Sequence, residues 1–138
     1  MAQFLYDFCP VAGPIRHCGP RLLDVYGPVL ADAAAAAFGD GHGALRTGEP
    51  RRRDDAVIIP IAWTVEAGPR PDTLFEQLDG DLQLAPLDAG VSHLSLSATC
   101  HRASDGDDAL ARRLAEERVR LFLRLVAERL ERLDQRPR

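Results

Sequence analysis

The stretch Val57-Ile58-Ile59-Pro60-Ile61-Ala62-Trp63-Thr64-Val65 decides the fold. Its odd-numbered residues are all large and apolar, whereas the residues between them are more mixed and include Pro60 and Thr64. A repeat of two residues places alternate side chains on opposite faces of a β-strand. The stretch therefore predicts a strand with one face turned toward the core.

Two more extended segments follow along the chain. The first covers residues 73–87, with a bend predicted near Gly80, and the turn Asp88-Ala89-Gly90 leads into the second. There Leu94, Leu96, Ala98 and Cys100 alternate with Ser, Thr and His. Strands joined by short turns indicate an antiparallel meander. One apolar face and one polar face are typical of a sheet that is covered on one side only.

A long amphipathic helix is predicted at residues 109–133. Leu, Val and Phe fall on one broad side of it and Arg and Glu on the other. About 25 helical residues span about 37 Å at 1.5 Å per residue. A strand from 55 to 66 spans roughly 40 Å. The matched lengths predict an α+β fold in which a curved antiparallel β-sheet wraps around this C-terminal helix.

The N-terminal part is predicted as a strand, a loop and a kinked pair of helices. Residues 3–8 alternate like a short strand, and residues 9–20 contain five Gly or Pro residues and are predicted as loop. Residues 21–38 are rich in Ala, which favours helix. Gly27-Pro28 should kink this segment or divide it in two, because proline lacks the backbone donor.

Composition limits the chemistry and the partners. The 138 residues predict one domain over 1–138, which is long enough to bury a core without metal or disulfide. All 17 basic residues are Arg, which excludes Schiff-base catalysis and lysine-dependent phosphate chemistry. The net charge is −4, and Arg51-Arg52-Arg53 is followed by two Asp residues. We therefore predict a solvated turn there and no nucleic-acid partner.

The compartment is predicted from cysteines and hydropathy. Asp7 interrupts the early apolar run, and no stretch reaches the roughly 20 apolar residues of a membrane span. Three cysteines form an odd set that suits a reducing environment. We expect a cytoplasmic protein with no membrane span.

The order of these elements resembles the START-like, or helix-grip, superfamily, which includes polyketide cyclases and lipid-transfer domains. The segments that carry the resemblance are 57–63, 78–87 and 94–97, within residues 43–133, and they look like those of small actinobacterial members. The resemblance implies a cavity for a small hydrophobic molecule between sheet and helix. It implies no particular catalytic residue.

Residues predicted to line that cavity are apolar or pair a large apolar body with one polar atom, as small-molecule sites often do. They are Tyr6, Trp63, Val65, Phe75, Leu84, Leu96, Cys100, Leu114 and Phe122.

Other combinations of reactive residues favour simpler interpretations. Cys9, His17, Cys18, Cys100 and His101 lack the Cys-x₂₋₄-Cys spacing of a structural zinc site, so we predict no metal and no cofactor. Asp79 and Asp81 would share the wet face of a strand. No serine lies in a Gly-x-Ser-x-Gly elbow.

Three hypotheses about function remain open. The first is non-catalytic binding or carrying of a small hydrophobic ligand in the helix–sheet cavity. The second is a polyketide cyclase-like enzyme that uses Tyr6, Trp63 and Cys100. The third is a homodimeric interaction module with a filled core, in contact through Ile58, Pro60 and Ala62.

Overall fold

The computed structural model describes residues 2–38, 43–65, 76–101 and 108–134. The elements are β1 (Ala2–Ala12), α1 (Ile15–Phe38), β2 (Gly43–Thr47), β3 (Arg51–Arg53), β4 (Ala56–Val65), β5 (Gln77–Asp88), β6 (Val91–His101) and α2 (Asp108–Asp134). Strands pair antiparallel in the order β1-β6-β5-β4-β2, and β3 also pairs with β4. The predicted α+β fold, with a long C-terminal helix on one face of an antiparallel sheet, is confirmed.

The hydrophobic core lies between the helices and one face of the sheet, which we call the inner face. The period of two in β4, β5 and β6 turns their large apolar residues toward this face, and the best buried of them include Ile59, Leu82 and Leu96 at 0% exposure. From the helices, Leu22, Leu30 and Phe122 are also 0% exposed. His93, Ser95, Ser97 and Thr99 of β6 lie on the opposite, outer face, as the sequence predicted, whereas Ser92 shares the inner face with Leu94.

Two side-chain contacts fix α2 along the edge strand β1. Arg120 Nε lies 3.1 Å from Asp7 Oδ2, and the Ala12 backbone N–H donates to Glu131 Oε2 at 2.9 Å. Neither α1 nor α2, as described here, is long and apolar enough to cross a membrane.

The predicted loop over residues 9–20 is wrong, because β1 continues to Ala12 and α1 begins at Ile15. Pro10 fits this longer strand because β1 is the last strand of the sheet. Phe8 and Ala12 lie two residues before and two residues after Pro10, so their backbone nitrogens face the same side of the strand as the Pro10 nitrogen. The N–H groups of Phe8 and Ala12 donate to side chains rather than to β6. A proline at such an edge position therefore costs the sheet no hydrogen bond.

The predicted helix pair is a single helix, α1, which contains both Pro20 and Pro28. An interior proline costs a helix about 3 kcal/mol. Burial of Leu22, Leu30 and Ala34 on the core side offsets that local cost. Arg51–Arg53, predicted as a turn, form the short exposed strand β3, and the turn itself follows at Asp54-Asp55.

Hydrogen bonds close one end of the core, which we call the Ser92 end. Ser92 Oγ donates to the Gly13 carbonyl at 2.8 Å, and the Gly13 N–H donates to the Gly90 carbonyl at 3.0 Å. The Ala12–Glu131 contact lies at the same end. The polar groups of the turns before α1 and after β5 are thus bonded to one another.

Candidate functional site

At the opposite end of the inner face, strand register brings five residues into one row across the sheet. Leu45 pairs with Trp63, Trp63 with Leu78, Leu78 with Cys100, and Cys100 with Gln3. We call these five residues the Trp63 row. The row combines apolar surface with an indole, a thiol and an amide, which are the groups that small-ligand sites use for orientation.

The middle of the Trp63 row is buried and its two ends are only half-buried. Trp63 is 2% exposed, and Leu78 and Cys100 are 0% exposed. Leu45 and Gln3, at the two ends, keep partial exposure. The row thus contacts solvent at its two ends, whereas the turns at the Ser92 end are bonded to one another.

Aromatic rings from both helices cover the row. The Phe38 ring lies 5.4 Å from Trp63, edge to face, and 5.2 Å from Phe122, stacked. Gly43, opposite Val65, is needed for this arrangement, because a Cβ there would lie 2.6 Å from Trp63 Cη2. These contacts hold the indole in one orientation.

The residues predicted to line the cavity do not all meet. Trp63 and Cys100 lie in the Trp63 row, with Phe122 one ring away through Phe38. Leu84 and Leu96 are buried on the inner face, but they do not belong to the Trp63 row. Leu84 lies three rows away from it along the strands, and Leu96 lies two rows away. Val65, half-buried, ends β4 on the same face.

Two other predicted lining residues point away from the interior. Tyr6 is 53% exposed on the outer face of β1, so it does not line the space between sheet and helices. Leu114 is 38% exposed on α2. Phe75 lies outside the described residues.

Sequence reasoning missed Gln3, Leu45, Leu78 and Phe38. The alternation of β1 separated Gln3 and Leu5 from the aromatic residues, but pairing with β6 was needed to place Gln3 opposite Cys100. Its amide is unusual: Gln3 Nε2 is buried and has no hydrogen-bond partner in the described part of the chain.

Open depressions occur elsewhere on the described surface. One of about 200 Å³ lies between α1 and α2, over Val29, Ala33, Ala36 and Leu125. Another of about 590 Å³ lies on the outer face, between Arg46, Pro60 and Asp79. Trp63, Cys100 and Phe122 line neither of them, and all three are at most 2% exposed.

The candidate metal ligands are far apart. Cys18 lies at the Ser92 end, where its thiol approaches the Ala12 carbonyl at 3.7 Å, while Cys100 and His101 end β6 at the opposite end. Within the described ranges, no three His, Cys, Asp or Glu side chains form a cluster suited to a metal. Asp79 and Asp81 lie on the outer face, as predicted.

Cys9 is a thiol whose protonation the structure changes. Burial, and then the charges of Asp7 and Glu131, raise the pKa of Cys9 from its ordinary value of 9.0 to about 11. Since the thiolate is the reactive form, its fraction at a given pH falls roughly 100-fold.

We therefore expect Cys9 to be alkylated by iodoacetamide at pH 8 at least about 10-fold more slowly than glutathione. Mass spectrometry of the peptide carrying Cys9, sampled over time, measures this rate. Alkylation as fast as that of glutathione would contradict the raised pKa.

Comparison with known proteins supports the fold but gives no close relative. No protein-family model matches the chain, and no curated protein does. Among solved structures, the Zhui aromatase/cyclase from Streptomyces sp. R1128 has a TM-score of 0.52 at 17% identity, over 98% of this chain and 97% of that one. A conserved protein from Geobacillus kaustophilus has a TM-score of 0.61 at 9% identity, over 94% and 96%.

A START superfamily protein from Mycobacterium smegmatis is also similar, with a TM-score of 0.54 at 12% identity, over 94% of this chain and 98% of that one. These matches extend over almost the whole length of both chains. They define the architectural class, a helix packed on an antiparallel sheet. The chain has the START-like, helix-grip fold that its sequence resembles.

Proposed function

We propose that this protein binds a small hydrophobic molecule at the Trp63 end of the space between its sheet and helices. The observation that carries the proposal is the Trp63 row itself: an apolar row across five strands with half-buried ends. The contrast with the hydrogen-bonded Ser92 end supports access from the Trp63 end. A ligand would displace the Phe38 ring, which covers Trp63.

The same proposal includes one START-like domain over residues 1–138, a cytoplasmic location and a relation to small actinobacterial proteins of this fold. Core residues come from β1, both helices and strands β4 to β6, which supports a single domain.

We favour binding over the cyclase-like alternative. That alternative is motivated by the solved aromatase/cyclase of the same fold. The Trp63 row, however, offers the Cys100 thiol but no carboxylate, imidazole or hydroxyl group beside it, and Tyr6 lies on the outer face. General acid–base chemistry would need such groups within hydrogen-bond reach of the substrate.

The homodimer alternative receives little support at its predicted contact. Ile58, Pro60 and Ala62 are each half-buried on the outer face. The large exposed apolar side chains of that face lie at its other edge, on β1.

Binding can be tested with the chain's single tryptophan as the reporter. We expect N-phenyl-1-naphthylamine to bind and to quench Trp63 emission by energy transfer. Leu45→Arg, at a half-buried end of the row, should weaken probe binding at least about 10-fold, because it places a charge in the apolar site. Direct probe fluorescence, titrated against protein, measures the affinity.

The matched control is Ala36→Arg, which blocks the depression between α1 and α2 and should leave probe affinity within about twofold. Circular dichroism checks the fold of each variant, and Leu45→Gln replaces Leu45→Arg if the latter does not fold. The proposal fails if the probe does not bind, or if Ala36→Arg rather than the Leu45 variant abolishes binding.

A further inference from the structure

The buried amide of Gln3 carries an inference about the kind of ligand. Gln3 Nε2 has no hydrogen-bond partner within the described part of the chain. Buried polar side-chain atoms are bonded in the large majority of cases, and a buried donor left without an acceptor destabilises the protein. The Gln3 N–H therefore needs an acceptor that the described part of the chain does not supply.

The position of Gln3 places this donor at one end of the Trp63 row. Gln3 pairs with Cys100 on the inner face, and the next inner-facing residue of β1, Leu5, is 3% exposed and apolar. The nearest carboxylate on this face of β1 is Asp7, which is already bonded to Arg120 and to the Phe8 N–H. The orphaned N–H thus lies beside apolar surface.

Strand spacing sets the reach that a ligand would need. Gln3 and Trp63 lie three strands apart, or about 14 Å at 4.8 Å per strand. A molecule with its oxygen at Gln3 would extend its apolar body over Cys100 and Leu78 toward the indole.

The charge of the row decides between neutral and anionic ligands. None of its five residues carries a positive charge, and burying a carboxylate without a cationic partner is strongly unfavourable. A single neutral amide donor suits a neutral oxygen acceptor, such as a ketone.

We propose that Gln3 Nε2 donates a hydrogen bond to a neutral carbonyl or hydroxyl oxygen of the bound ligand, and that the ligand is therefore a neutral oxygenated apolar molecule rather than a fatty acid. This inference rests on the proposed function, since it names the ligand of the same site. Gln3 is then the residue that distinguishes oxygenated ligands from hydrocarbons.

The test compares 9-fluorenone with fluorene, which share a ring system and differ in the carbonyl. The native protein should bind 9-fluorenone about 3- to 10-fold more tightly than fluorene, as one neutral hydrogen bond allows. Gln3→Leu should remove this preference and leave fluorene affinity within about twofold. Displacement of bound N-phenyl-1-naphthylamine measures both affinities, and dodecanoate should displace the probe less effectively than 9-fluorenone.

Gln83→Leu, the same substitution on the outer face of β5, is the matched control and should keep the preference. If Gln3→Leu does not fold, Gln3→Glu replaces it, because a carboxylate cannot donate to a ketone. Equal binding of the two compounds by the native protein, a preference that survives loss of the amide, or tighter binding of dodecanoate would overturn the inference while leaving the proposed function standing. Failure of both ring compounds to bind would overturn the inference, and the proposed function falls with it only if N-phenyl-1-naphthylamine does not bind either.

Discussion

Replacing Gly80 with alanine is expected to lower the free energy of unfolding by about 3 kcal/mol, or the melting temperature by about 10 °C. Gly80 lies in β5 between Ile61 of β4 and Ala98 of β6. A Cβ at Gly80 would lie 2.7 Å from both Ala98 Cα and Ala98 Cβ, and nearer still to the Ser97 carbonyl oxygen. Because most of these atoms are backbone, the strands themselves would have to separate.

Urea denaturation followed by circular dichroism measures the loss. Gly27→Ala is the matched control, since nothing lies within 4 Å of a Cβ at Gly27 in α1. That change should stabilise the protein by about 0.5–1 kcal/mol, because alanine favours helix over glycine. A Gly80→Ala variant as stable as the native protein would show that β5 and β6 do not approach as closely as the structure places them.

Much of this fold follows from short-range periodicity in the sequence. The repeat of two in β4 and β6 and the amphipathic repeat of α2 are each set by one buried face, so burial and pattern agree. Local rules failed at the prolines. Pro10, Pro20 and Pro28 resemble breaks in secondary structure, but a sheet edge tolerates the first and core packing offsets the other two.

The candidate site was harder to predict, because it depends on register rather than on periodicity. Alternation assigns a residue to a face but does not say which residue of the next strand lies beside it. Trp63 and Cys100 were correctly placed on apolar faces, while only the pairing of β1 with β6 adds Gln3. Tyr6 pairs a large apolar ring with one polar atom, which predicts a place in the cavity lining, yet the inner side of β1 carries Leu5 and Val11.

Replacing Phe122 with alanine should destabilise the protein by about 3–5 kcal/mol and also strengthen its binding of apolar probes. Phe122 is 0% exposed and stacks on Phe38, which in turn contacts Trp63. The lost ring removes packing and leaves a void one ring away from the Trp63 row. A void lined by apolar groups stays dry and accepts apolar molecules.

Urea denaturation measures the first effect, and titration with N-phenyl-1-naphthylamine measures the second, for which we expect at least a threefold gain in affinity. Leu114→Ala is the control on the same helix. Because Leu114 is 38% exposed, its loss should cost less than about 1 kcal/mol and leave probe affinity unchanged. Equal losses of stability in the two variants would contradict the packing of α2 described here. A destabilised Phe122→Ala variant with no gain in affinity would place the probe site away from the Trp63 row, since a cavity beside an apolar site must enlarge that site.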